Sequence, residues 1–152
     1  MRFALALLLA MTAGPAFAID DLVAKIEACL GRIGDPGEHP ELCMGIHVNA
    51  CVAAPGGETD AGQTACLTEE TEAWDRILAK EYAAPLSRLD EDQRAALKDA
   101  QRKWTAFLEA DCDFPLIFEK SALAGPWAAD CRMQHTARRT TELRGYLNYL
   151  EY

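Results

Sequence analysis

Histidine is scarce in this chain of 152 residues: there are three, His39, His47 and His135, set apart from one another. No H-E-x-x-H, G-x-S-x-G or glycine-rich phosphate loop is present. The sequence therefore offers no zinc-ligand cluster, no activated serine and no nucleotide cradle, and no cofactor is expected. C-x-x-C is missing too, which removes the usual source of a low-pKa thiol pair. Basic residues are in deficit, with 15 Lys and Arg against 24 Asp and Glu. That balance argues against nucleic acid and anionic membrane surfaces as partners. No stretch alternates apolar and polar residues as a half-buried strand would. The apolar run from Phe3 to Met11 falls short of the about 20 residues a membrane-spanning helix needs.

What is there begins with that run. Met1-Arg2 gives a positive start, and Gly14-Pro15 precedes Ala16-Phe17-Ala18, an A-x-A cleavage site. Residues 1–18 read as a secretory signal peptide. Ile19, not a cysteine, follows the cut, so no lipid anchor is offered. The remaining 134 residues (152 less 18) carry a formal charge of −10, since only Arg2 is lost among the charged groups. They fit one domain, residues 19–152, in the periplasm or outside the cell. All six cysteines (Cys29, Cys43, Cys51, Cys66, Cys112, Cys131) lie there. An even count in an oxidising compartment points to disulfides rather than metal ligands.

Apolar residues recur at three- and four-residue spacings throughout, which predicts an all-α protein. Leu22, Val23, Ile26 and Leu30 mark a first short helix starting near Asp20-Asp21 and stopped by Gly34-Asp35-Pro36-Gly37. A second is expected over 41–53, between Pro40 and Pro55-Gly56-Gly57. A long helix over 60–85 aligns Cys66, Glu70, Trp74, Ile77, Leu78 and Tyr82, while Glu69, Glu70 and Glu72 read as a charged helix start. After a turn at 86–89, Asp90 and Gln93 form a capping-box pattern. Leu97, Ala100, Gln101, Trp104, Leu108 and Cys112 continue as a helix that Pro115 should kink or end. Following a loop at 121–125, Pro126 opens a last helix marked by Trp127, Cys131, Arg138, Leu143, Tyr146, Leu147 and Leu150. Short connections make this an antiparallel three-helix bundle preceded by a short α-hairpin. Trp74, Trp104 and Trp127 are expected where the three long helices meet.

Geometry suggests one pairing among the 15 that six cysteines allow. Cys29 and Cys43 flank the hairpin loop, Cys51 and Cys66 the Pro55–Gly57 turn, and Cys112 and Cys131 the last interhelix loop. Each bridge would staple one connection, worth about 3 kcal/mol in the chain-entropy model.

Cys66, Trp74-Asp75 with Leu78 and Tyr82, Ala100-Gln101-Arg102-Lys103-Trp104, Phe107, Cys112, and Cys131 with Thr136, Arg139 and Glu142-Leu143 together resemble the small exported LprI-like lysozyme-inhibitor family. The resemblance spans about 51–150, and the Cys29 to Cys43 hairpin resembles a variant with an added N-terminal pair. Ala79, Leu108-Glu109 and Ala124-Gly125-Pro126 depart from the family's usual Asn, Arg-Asp and Gly-Gly-Ser. The resemblance implies a helical, disulfide-bonded fold and lysozyme as a partner. Asp75, Gln101, Arg102, Thr136, Arg139 and Glu142 match the family's polar positions and read as an interhelical network, with Asp75 or Glu109 as the partner of Arg139.

The expected function is that of a non-enzymatic exported binding protein. It would inhibit lysozyme or another cationic glycan hydrolase, drawn to it by long-range attraction. Glu58, Thr59 and Asp60 in the stapled turn are the first-choice contact, and Asp35, Glu38 and Glu41 the second. The alternative is an envelope structural or protein-interaction module using Tyr146, Tyr149 and Tyr152.

Overall fold

The computed structural model describes the backbone of residues 15–33 and 40–150 and the side chains of residues 19–33 and 41–150. Its elements are α1 (Pro15–Leu30), a 3-10 turn (Pro40–Cys43), α2 (Val48–Val52), α3 (Asp60–Leu86), α4 (Glu91–Phe118) and α5 (Ala124–Tyr149). Among the described residues there is no strand, and no helix is long and apolar enough to cross a membrane. Residues 1–14 of the expected signal peptide lie outside the described residues, as do Asp35, Glu38, His39 and Tyr152. The first helix starts earlier than expected, at Pro15, and runs through the expected cut after Ala18.

Disulfides join Cys29 to Cys43, Cys51 to Cys66 and Cys112 to Cys131, the pairing that loop geometry favours. The expected helix over 41–53 is broken instead into the 3-10 turn and α2. Gly45 adopts φ +80° between them, and the N–H groups of Gly45, His47 and Val48 donate to the Glu70 carboxylate at 2.6, 2.8 and 3.0 Å. A continuous helix would direct those N–H groups to its own carbonyls; a buried carboxylate is the stronger acceptor.

The stapled turn that follows depends on two glycines. Gly56 has φ +88°, and a Cβ on Gly57 would stand 2.1 Å from the Cys51 carbonyl oxygen. Thr59 then caps α3, its hydroxyl oxygen accepting from the Gly62 N–H at 3.0 Å. Asp90 and Gln93 form the expected capping box at α4, with bonds of 2.8 and 3.1 Å. Pro115 does not end α4, which continues to Phe118 because the Glu119 N–H still reaches the Pro115 carbonyl at 2.9 Å. A proline removes its own N–H bond but not those made by the residues after it.

Contacts give the directions of the long helices. Thr64 meets Gly125 and Glu81 pairs with Arg144, so α3 and α5 run parallel. Gln101 pairs with Arg139 and Cys112 with Cys131, so α4 runs against α5. The three long helices therefore form the up-down-up bundle expected from their short connections.

The core is less even than the sequence suggests. Leu22, Ile26 and Leu30 of α1, Cys43 of the 3-10 turn, Leu67, Ala73, Trp74 and Ile77 of α3, and Ala129, Met133 and Ala137 of α5 form one buried cluster. No α4 residue belongs to it, and Cys112 is the buried residue of α4. Helix α4 packs along α5, outside this core. Of the tryptophans, Trp74 is fully buried, Trp104 is half-buried and Trp127 is 47% exposed. The expected three-tryptophan junction is not formed. Trp127 shares the stripe of Cys131 and His135, which faces α4, whereas Pro126, Ala129, Met133 and Ala137 supply the buried stripe. Tyr146 is likewise open to solvent, not on a core stripe.

Candidate functional site

Three long helices place the polar family-motif residues along their seams. The buried Arg139 guanidinium donates from Nε to the Gln101 side-chain oxygen at 3.0 Å and from Nη1 to Glu142 at 3.0 Å. Neither Asp75 nor Glu109, the partners expected from sequence, receives it. Its Nη2 is buried with no protein acceptor among the described residues. Asp75 is exposed at the residue level, but crowding of its carboxyl by the surrounding helices, and then the neighbouring Glu72, push it above the ordinary carboxylate range, against the opposing pull of the buried Thr136 hydroxyl. Arg102 does not join this network: it is exposed and pairs with Asp99 one helical turn back. Tyr82 and Trp104 are half-buried. A further link not foreseen is Glu81, almost wholly buried, whose Oε1 accepts both Nε and Nη2 of Arg144 at 3.0 and 2.6 Å. The arrangement fixes the register of α3 and α4 on α5.

Glu70 is the most consequential side chain that sequence reading misjudged. It is fully buried, not a charged helix start, and also accepts from the Trp74 indole N–H at 3.3 Å. Its place on the apolar stripe of α3, four residues before Trp74, was the available signal.

His47 and His135, the two described histidines, each pair with a carboxylate. His47 pairs with Glu69 at 2.7 Å, and His135 pairs with Asp111 at 3.0 Å and meets the Phe107 ring edge-on at 5.4 Å between centroids. Each pair adjoins a half-cystine, and one donor atom each from Asp111, Cys112, Cys131 and His135 lie within 4.8 Å of one another. Both sulfurs there are bonded to each other, so what remains is an interhelix hydrogen bond beside a staple. A cleft of about 570 Å³ opens between α1, α2 and α3, with Leu22, Ile46, His47 and Glu69 among its walls.

The expected contact residues Glu58 and Asp60 sit at the start of α3. Glu58 is exposed and Asp60 half-buried in the first helical turn, where its charge complements the helix dipole. Glu41, from the second-choice loop, is exposed. Gly125 lies so close to Thr64 that a Cβ on it would stand 2.9 Å from the threonine hydroxyl. This contact brings the α4–α5 loop to the same end of the bundle as the Cys51–Cys66 turn. That loop adds Glu119, whose carboxylate accepts from the Ser121 N–H at 2.7 Å; this bond holds it below the ordinary carboxylate range. The same end also exposes large apolar side chains: Ile117 and Phe118, to which the sequence assigned no role, and Trp127, which it placed in the core.

No curated protein and no solved structure matches this chain. The family described as lysozyme inhibitor LprI matches residues 51–143, a stretch holding two of the three staples, the Gln101–Arg139–Glu142 seam and both turns at the end where α3 and α5 begin. The chain belongs to the LprI lysozyme-inhibitor family.

Proposed function

We propose that the protein is an exported, non-enzymatic inhibitor of lysozyme that binds the enzyme through the end of the bundle where α3 and α5 begin. The observation that carries this reading is the family match over 51–143, which includes that end and excludes α1 and most of the N-terminal hairpin. The cleft beside α1 is walled in part by residues outside the match and is not assigned a role in inhibition. Two supports are physical. The chain carries a formal charge of −9, and lysozyme-type glycan hydrolases of opposite charge would be steered toward it from beyond contact distance. The 51–66 and 112–131 bridges hold the two turns at this end, so little order has to be gained on binding.

Glu58 and Asp60 serve steering more than final affinity, because exposed rim charges act chiefly on the association rate. The double substitution Glu58→Lys and Asp60→Lys should slow association with lysozyme several-fold at low salt. That difference should shrink as ionic strength rises and the Debye length falls below about 10 Å. Unchanged association at low salt removes this turn from the binding surface.

A second reading has its own observation. At the opposite end, Pro85, Leu89, Leu97, Tyr146, Tyr149 and Leu150 line an apolar cleft of about 270 Å³. It would suit an envelope interaction module whose binding is insensitive to salt.

A further inference from the structure

Helix α4 carries two apolar stripes. One, through Leu97, Trp104, Leu108 and Cys112, faces α5 and is half-buried or buried. The other, through Phe114, Ile117 and Phe118, repeats at i, i+3 and i+4 and faces solvent. Phe114 and Phe118 stack at 5.6 Å between centroids, and Ile117 and Phe118 are each 67% exposed. The antiparallel register set by the Cys112–Cys131 bridge puts Leu116 at the level of Trp127 on α5. Leu123 is 43% exposed at the hairpin tip. Phe114, Ile117 and Phe118 thus make one exposed apolar face on the last turns of α4, while Leu116 and Trp127 lie at the α4–α5 seam of the same end. A patch of this kind is rare on a monomer without a partner.

The charge of the molecule says what kind of partner. Asp111 and Glu119 lie beside the face on α4 and the loop, Asp113 pairs with Arg132, and Lys120 directs its ammonium to the Ile117 carbonyl. An apolar centre with a charged rim is the anatomy of a protein interface, and the chain's formal charge of −9 complements a cationic surface. The same net charge opposes insertion into an anionic leaflet.

Resting on the inhibitor reading above and naming its contact, we propose that Phe114, Ile117 and Phe118 form the anchor by which the protein grips lysozyme. Aromatic and aliphatic anchors at a patch centre carry most of the affinity in such interfaces. The acidic turn at Glu58 and Asp60 brings the enzyme in, and the α4–α5 tip holds it.

The test uses the purified, oxidised protein and purified lysozyme, comparing wild type with the pair Ile117→Ser and Phe118→Ser. Both residues are exposed, so the variant should fold, which intact disulfides and an unchanged thermal midpoint verify. The Kd for lysozyme should weaken at least about 10-fold, mostly through faster dissociation. Wild-type protein should stay monomeric by light scattering and should not float with anionic phosphatidylglycerol vesicles. Undiminished affinity of the variant overturns the anchor while leaving lysozyme inhibition standing. Wild type that fails to bind lysozyme overturns both, and tip-dependent dimerisation or vesicle binding in that case names the other occupant.

Discussion

Replacing Glu70 with glutamine tests the packing logic of the N-terminal half most sharply. The carboxylate accepts four bonds: Oε1 from the Gly45 N–H and the Trp74 indole, Oε2 from the His47 and Val48 N–H groups. Glutamine keeps one oxygen and turns an NH2 toward two of those donors. Two charge-assisted bonds are lost at roughly 1.5–3 kcal/mol each, and the two that remain become neutral ones. Allowing for partial relaxation, the loss should be about 3–4 kcal/mol, or about 10–15 °C in Tm for a domain of this size. The Cys29–Cys43 and Cys51–Cys66 bridges still tether the segment, so part of the loss should surface as local opening of residues 44–48. Calorimetric melts give the first quantity, and hydrogen exchange at the Gly45, His47 and Val48 amides gives the second. A variant within about 1 kcal/mol of wild type, with those three amides equally protected, would refute the role assigned to Glu70.

Other perturbations follow from the same contacts. Arg144→Met should cost about 3–5 kcal/mol by denaturant melts, because it leaves Glu81 buried without its cation, while the double change with Glu81→Leu should recover most of that. Asp75→Asn should raise stability at neutral pH. The wild-type carboxyl titrates higher folded than unfolded, so folding takes up protons and its stability falls as pH rises above about 3.8, the unfolded value. The gap between the two proteins should therefore close on acidification toward that value, and a gap that widens instead contradicts the assignment. Removing the Cys112–Cys131 pair by double alanine substitution should lower stability by about 3 kcal/mol and loosen the α4–α5 tip, read as a drop in Tm together with weaker lysozyme binding.

Most of the fold was legible because it is written locally. Helix period, the Asp90–Gln93 box and the cysteines beside each turn need no knowledge of distant contacts. Two features were not. The helix expected over 41–53 breaks because Glu70, 25 residues beyond Gly45, competes for its N–H groups; no local pattern encodes that rivalry. The placing of Trp127 turns on which face of α5 meets α3, and its spacing from Cys131 suits either face. The polar motif did not reveal its own pairing, since Arg139 binds Gln101 and Glu142 rather than Asp75 or Glu109, and Arg102 stays outside the network. At the bundle end, the acidic residues were visible as turn residues, whereas Phe114 to Phe118 read only as the close of a helix. Their exposure follows from α4 lying outside the core.

Lysozyme turnover of cell walls, with and without the oxidised protein, tests the central claim most directly. Stoichiometric inhibition is expected, weakening with added salt and abolished when the three bridges are reduced and alkylated. Full lysozyme activity at a large molar excess of folded, oxidised protein would contradict it.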